Sequence, residues 1–273
     1  MVSLKKYLLV RLANILMWSR LCSLFNIEIK EFRMKFHPSH LSKRLWREQY
    51  LQENCFDLEE SFFRCYLKPG DVCIDVGANI GYLTLLSSVL VGATGKVYAF
   101  EPNPKIYRYL QTNIALNQIG NVTSFNVAVG NKDGETCLMV PRKKDHYSYI
   151  VSDSRGRAVS MKKLDSIGIE DESIALLKLD VEGYEKYVLE GAADLLKKTK
   201  CVYFEAVPRN AARYNYTISD LVVIFKKHGF DIFELHDNHL KDLSGNNRSH
   251  PSTPNLIGTR DISELLKRTN YRY

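Results

Sequence analysis

The run Val72-Cys73-Ile74-Asp75-Val76-Gly77-Ala78-Asn79-Ile80-Gly81-Tyr82 sets the reading of this 273-residue chain. Its first five positions are mostly apolar and follow the stop signal Lys68-Pro69-Gly70-Asp71, so they read as a buried strand. Gly77 and Gly81 permit a tight turn, and residues 80–91 carry a helical pattern directly behind it. A strand that passes through glycines into a helix N-terminus lets backbone N–H groups approach a ligand closely. A nicotinamide-dinucleotide fingerprint would place glycine at positions 79 and 82, where this chain has Asn79 and Tyr82. An oxidoreductase of that kind is therefore the weakest reading. On this stretch alone a purely structural turn, with Asn79 bonding local backbone, stays open.

Working outward, residues 39–67 read as helical, with Trp46, Tyr50, Phe62, Phe63 and Tyr66 as apolar anchors. Beyond the run, strands over 96–100, 122–129, 174–180, 201–207 and 230–235 alternate with helices over 103–117, 184–196 and 218–227. Such alternation builds an α/β fold: a mostly parallel central sheet with helices on both faces and ligands at the carboxyl ends of the strands. Residues 135–160 read as short antiparallel strands inserted into this order. The segments FDIFEL and NLIGTR, joined by a polar loop over 236–254, imply an antiparallel C-terminal strand. The expected organisation is a basic helical N-terminal extension over 1–45, then one domain over 46–273.

Two further stretches carry chemistry. The second strand ends in Phe100-Glu101-Pro102-Asn103, and a carboxylate there can accept hydrogen bonds from both hydroxyls of a ribose. The competing reading has Glu101 only starting the next helix, but its distance from Gly77 suits a nucleoside-binding acid. The fourth parallel strand ends in Leu177-Lys178-Leu179-Asp180-Val181-Glu182-Gly183-Tyr184-Glu185. Asp180 and Glu182 are candidates for a general base or acceptor orienter, with Lys178 beside them. The competing reading here makes Asp180 or Glu182 a helix cap, Glu185 the partner of a capping box, and Lys178 an ion-pair partner. Glu205 is either a third ligand for a divalent metal beside these acids or an anchor for the next loop. His146 is an alternative base, and His228 reads as a helix C-cap.

Taken in order, LKPGDVCIDVGANIGYLTLL, YAFEPNPKIYRYLQTNIALN, NVAVGNKDG, VSMKKLDS, ALLKLDVEGYEKYVLEGAADLL and VYFEAVP make a chain that resembles the FkbM family of S-adenosylmethionine (SAM) dependent methyltransferases. The resemblance runs from residue 59 to about 235, and DVGANIGY, FEPNP and KLDVEGYE are its most specific parts. It implies a Rossmann-like methyltransferase fold with SAM as cofactor. Asp75, Gly77, Ala78, Asn79 and Gly81 would cradle the methionine part and Glu101 the ribose. Pro102, Asn103 and Asn126-Val127-Ala128 would border the adenosine, while Asp180 and Glu182 face the methyl group and the acceptor. The implied activity is O-methylation of a hydroxyl on a saccharide, glycolipid or related natural product. The alternatives are an N- or carboxyl-methyltransferase, or a non-catalytic SAM-binding accessory subunit. No metal set is complete enough to assign.

Charge bounds the partners. The net +7 of the chain belongs to residues 1–50, with ten Lys and Arg against three acids, whereas residues 51–273 hold 28 of each sign. The body therefore offers no excess of cations for phosphates, and nucleic acid is not the expected partner. A small-molecule or glycan acceptor is. The first 27 residues contain Lys5, Lys6, Arg11 and Arg20 and no acid, but their apolar run is too short to span a bilayer. The N-terminal segment is expected to be a helix packed on its own domain or on a dimer partner, with peripheral attachment to an anionic membrane through residues 1–45 as the alternative. Six scattered cysteines without metal spacing fit a reduced, cytoplasmic chain.

Overall fold

A computed structural model describes residues 20–51, 57–141, 148–152, 155–243, 251 and 253–273, together with Arg11 and Ile15. After a 3-10 turn, the chain forms a hairpin of β1 (Asn26–Glu28) and β2 (Arg33–Lys35), then helices α1 (His40–Leu51) and α2 (Asp57–Tyr66). The core alternation follows: β3 (Val72–Val76), α3 (Tyr82–Val91), β4 (Lys96–Phe100), α4 (Pro104–Leu116) and β5 (Val122–Phe125). A second sheet is built from β6 (Ala128–Val129), β7 (Gly134–Met139), β8 (Tyr149–Val151) and β9 (Arg157–Lys162). The chain returns through β10 (Ile174–Leu179), α5 (Glu185–Glu190), α6 (Ala193–Lys197), β11 (Thr199–Glu205), α7 (Pro208–Ala212) and α8 (Ile218–Lys227). It closes with β12 (Asp231–His236), β13 (His239–Asp242), β14 (Asn255–Thr259) and α9 (Ile262–Thr269).

The main sheet has eight strands in the order β13-β12-β14-β11-β10-β3-β4-β5. Pairings from β11 through β5 are parallel, and β14 runs antiparallel to both β11 and β12. Every residue of β10 is buried, as a parallel strand covered on both faces requires. Its one charged member is Lys178. The strand order reverses between β3 and β10, which opens a crevice at their carboxyl ends.

Several sequence expectations change in detail. The helical text over 39–67 is two helices, and residues 52–56 lie outside the described part. The strand expected over 122–129 stops at Phe125, and Ala128 and Val129 pair with β9 in the small sheet instead. The helix expected over 184–196 breaks around Gly191, where a Cβ would overlap the backbone carbonyl of Gly130. The segment before residue 45 contains a hairpin as well as helix. Ile27, Met34, Phe36 and Leu45 are fully buried in the same cluster as Phe62, Leu85 and Tyr203, so the core crosses the expected boundary at 45/46. Apolar alternation in β1 and β2 spans only three residues each, too short to stand out in sequence.

Candidate active site

Gly77 stands at the switch point with φ +84° and donates its N–H to the Phe100 carbonyl at 2.9 Å. A Cβ there would overlap the carbonyl oxygen of Asp180, so the close approach of two strand ends requires glycine. Asn79 is also left-handed, with φ 52°, and its side chain accepts from the Ile80 N–H at 2.8 Å. That is the local bond expected of a turn asparagine. Its own N–H donates to Glu101 Oε2 at 3.0 Å, while the Asn103 N–H donates to Oε1 at 2.8 Å. The Glu101 carboxyl group is thus fixed by one backbone donor per oxygen. Burial pushes its pKa up to about 7 against those two bonds.

Next to this turn lies a cavity of about 500 Å³. Gly77, Ala78, Asn79, Glu101, Pro102, Val127 and Ala128 line it, together with Lys178, Asp180 and Glu182. Asp75, Gly81, Asn103 and Asn126 stand behind the wall and hold it. Asp75 is fully buried and accepts from the Thr84 hydroxyl at 2.6 Å. Gly81 begins α3 with φ +94°, where a Cβ would sit 2.5 Å from Leu110. Asn103 caps α4 through the Lys105 N–H, and Asn126 donates to the carbonyls of Glu101 and Pro102 at 2.8 and 3.2 Å.

Lys178 ties the turn to the acids. Its ammonium donates to the Gly77 carbonyl at 2.8 Å and lies 3.1 Å from Asp75 and 3.6 Å from Asp180. Burial alone would lower its pKa, but Asp75 and Asp180 outweigh that and raise it, so the group stays charged. Asp180 is about half exposed to the cavity, with 46% of its side chain accessible.

Behind Asp180 sit three more carboxyl groups. One oxygen each from Asp180, Glu182 and Glu205 lie within 4.8 Å of one another. Asn210 donates to both Glu182 and Glu205, at 3.0 and 3.1 Å. Burial, followed by the charge of neighbouring acids, lifts Glu182 to about 7 and Glu205 to about 9. Such an oxygen set matches a hard divalent cation or a shared proton. Glu185 serves the fold instead, accepting from the N–H groups of Val181 and Gly183 and from the Tyr216 hydroxyl and so holding the 181–183 loop. The residue before α5, Tyr184, supplies no side-chain cap, so neither Asp180 nor Glu182 is used as the helix cap.

Sequence reasoning missed one wall. His40, Leu41 and Arg44 from α1 and Glu59 from α2 also line the cavity, and burial pushes Glu59 up to about 7. Nothing in the helical text separates Glu59 from Glu60, which instead bonds Arg64 and the Tyr82 hydroxyl. The insertion supplies Leu138, Ser148, Tyr149 and Ile150. His146, with Arg142, Lys143 and Lys144 before it, lies outside the described residues, and His228 is the C-cap of α8.

Residues 75–232 match the family described as Methyltransferase FkbM domain. The chain belongs to the FkbM methyltransferase family. It is a SAM-dependent methyltransferase, and the cavity fits that cofactor. Each Glu101 oxygen keeps a lone pair beyond its one backbone bond, as a ribose diol needs, and apolar Val127 and Ala128 border the space beside it. Among curated proteins this FkbM chain is 27% identical to Methyltransferase sdnD of Sordaria araneosa, over 60% of this chain and 74% of that protein. It is 32% identical to a tRNA (guanine(37)-N(1))-methyltransferase of Phytophthora infestans, over 37% of this chain and 22% of that protein. A solved SAM-dependent methyltransferase from Aquifex aeolicus superposes with a TM-score of 0.44 at 15% identity, over 75% of this chain and 88% of that one. No helix among the described residues is long and apolar enough to cross a membrane.

Proposed function

We propose that this FkbM methyltransferase O-methylates a hydroxyl of a saccharide, glycolipid or related natural product, with Asp180 as the base. The observation that carries this is the placement of Asp180: half exposed on the cavity, beside the glycine turn, with Lys178 as its countercharge. SAM, when bound, supplies an electrophilic methyl group on a sulfonium. Glu101 holds the ribose, and the turn from Gly77 to Asn79 borders the methionine part. A sugar hydroxyl becomes a competent nucleophile only as its proton leaves, and the Asp180 carboxylate receives that proton. Lys178 fixes the carboxylate at 3.6 Å from its own ammonium, so the acceptor oxygen is oriented rather than merely admitted. Glu182 is the second acid of the site. Asn210 donates to Glu182 and Glu205, and the Lys178 ammonium lies 3.6 Å from Asp180, a countercharge that opposes a second cation there and favours a proton-sharing role over a metal. Residues 1–45 are proposed to contact an anionic membrane or a second copy. Ile15, Leu24 and Phe25 are exposed there, and vesicle co-sedimentation of the full chain tests it.

The test pairs Asp180→Asn with isotopic methyl-SAM and an extract of source-cell acceptors that includes glycans and tRNA. Methyl transfer to a saccharide is expected to fall by roughly 100- to 10,000-fold in the variant. Binding of S-adenosylhomocysteine (SAH) should remain. A loss of only a few-fold would favour methylation of a nitrogen or carboxylate, and label in tRNA would overturn the exclusion of nucleic acid, which rests on charge alone. SAH binding with no transfer to any saccharide in the extract would overturn the saccharide reading.

A further inference from the structure

A second cavity, of about 460 Å³, borders the end of β8 at Ile150, Val151 and Ser152. Tyr184 and Ile150 line both cavities, so the two adjoin. The second one is chemically unlike the first. The catalytic cavity is lined by five carboxyl groups, those of Glu59, Glu101, Asp180, Glu182 and Glu205. The second has none among the described residues: its charged members are Lys132 and Arg213, and three tyrosines form much of its surface.

The tyrosines make a braced platform. The rings of Tyr184 and Tyr187 stack at 4.6 Å, and Tyr214 meets Tyr184 edge-on at 5.2 Å. The Tyr214 hydroxyl donates to the Ile150 carbonyl at 2.9 Å, which pins the platform to β8. Arg213 bridges the two spaces. Its guanidinium lies 4.1 Å from the ring centre of Tyr149, a catalytic-cavity residue, and donates to the Glu182 carbonyl at 2.7 Å.

A pyranose offers an apolar C–H face and a rim of hydroxyls, which tyrosine rings and neighbouring polar groups complement. Two cations, with no acid in the described lining, add selection for negative charge. We propose that this cleft is an acceptor subsite for an anionic sugar, the unit adjoining the one methylated, bearing a carboxylate, sulfate or phosphate. The inference rests on the saccharide reading of the catalytic cavity and names the acceptor more closely: an acidic oligosaccharide rather than a free neutral sugar.

The test titrates SAH-loaded full-length protein with a hyaluronan tetrasaccharide, which carries uronates, with a sulfated chondroitin tetrasaccharide, and with neutral cellotetraose. Binding is followed by saturation-transfer NMR and calorimetry. At least one acidic tetrasaccharide is expected to bind tenfold or more tightly than cellotetraose, and which one does separates carboxylate from sulfate recognition. Lys132→Ala should erase much of that preference. Tyr187→Ala should weaken all saccharide binding about tenfold, with SAH affinity unchanged in both variants as the check on folding. Equal affinity for acidic and neutral chains, or no effect of Tyr187→Ala, overturns the subsite. Saccharide methylation with equal kcat/KM on acidic and neutral chains overturns the subsite alone. Preferential cleft binding without methylation of any saccharide overturns the acceptor class proposed for the catalytic cavity and leaves the cleft as a binding site.

Discussion

Lys178 shows how a single residue joins the fold to the chemistry. An ammonium inside a fully buried strand is tolerated because Asp75 and the Gly77 carbonyl lie within about 3 Å of it. Replacing it by methionine leaves Asp75 buried without its countercharge, a loss of about 3–5 kcal/mol that urea unfolding would report. A variant as stable as the parent would show that the pair contributes little. Glu101 is the corresponding residue on the cofactor side. With two ribose hydroxyls as additional donors, Glu101→Gln should weaken SAH binding by roughly 10- to 100-fold in calorimetry. Hydrogen bonds to the carboxylate favour its charged form, so SAH affinity should rise as pH climbs through about 7, and this dependence should vanish in the glutamine variant. Unchanged affinity in the variant would remove Glu101 from the ribose site. These residues were readable because strand-end acids and glycines have few other reasons to sit together. Glu59 was not readable, since its meaning comes from where α2 packs and not from its neighbours in sequence.

Among the elements, most of the parallel strands and the antiparallel finish through β12 and β14 were legible, and the N-terminal hairpin, β13 and α9 were not. β3, β4 and β10 declare themselves as apolar runs because both of their faces are covered. By contrast, β1, β2 and β13 have three or four residues each, and α9 begins from an Asp261 cap that local sequence does not set apart from the other polar segments. The broken strand at Phe125 was equally invisible: Asn126 turns away to bond the carbonyls of Glu101 and Pro102, a tertiary cause. The N-terminal hairpin is nevertheless part of the body. The N–H groups of Arg33 and Lys35 donate to Asn117, the C-cap of α4, and to Asn113 within it, each at 2.8 Å, and Met34 and Phe36 are fully buried. Phe36→Ala should therefore cost about 3–5 kcal/mol. The expected fall in thermal midpoint is on the order of 10 °C. A drop of only a degree or two would mean that the hairpin is an appendage, as the charge division at residue 50 suggests.

For the molecule as a whole, the crevice gathers acids whose burial has a measurable consequence for stability. Glu59, Glu101, Glu182 and Glu185 are raised to about 7 and Glu205 to about 9, mainly by desolvation. In the unfolded chain glutamates titrate near 4.3. Between those values the folded state holds protons that the unfolded state has released, so stability is fully present below about pH 4.3 and declines as pH rises through 7 and then 9. His37 acts in the opposite sense. Burial lowers it to about 4, which adds stability as pH rises from about 4 to the unfolded value near 6.5 and nothing above it. His37 offsets only one of the five glutamates below about pH 6.5, so the thermal midpoint of the cofactor-free protein should fall most steeply between about pH 4.5 and 7, and more gently from about 7 to 9, where Glu205 alone still gives up its proton. SAM carries a positive sulfonium and SAH does not. As the acids ionise, the stabilisation by SAM should grow relative to that by SAH, because only SAM adds a countercharge beside them. Differential scanning fluorimetry at a series of pH values, with each ligand and without, reads both effects. A flat or rising midpoint between about pH 4.5 and 7 would mean that the acid cluster ionises freely, and the proton-sharing role argued for Glu182 and Glu205 would fall with it.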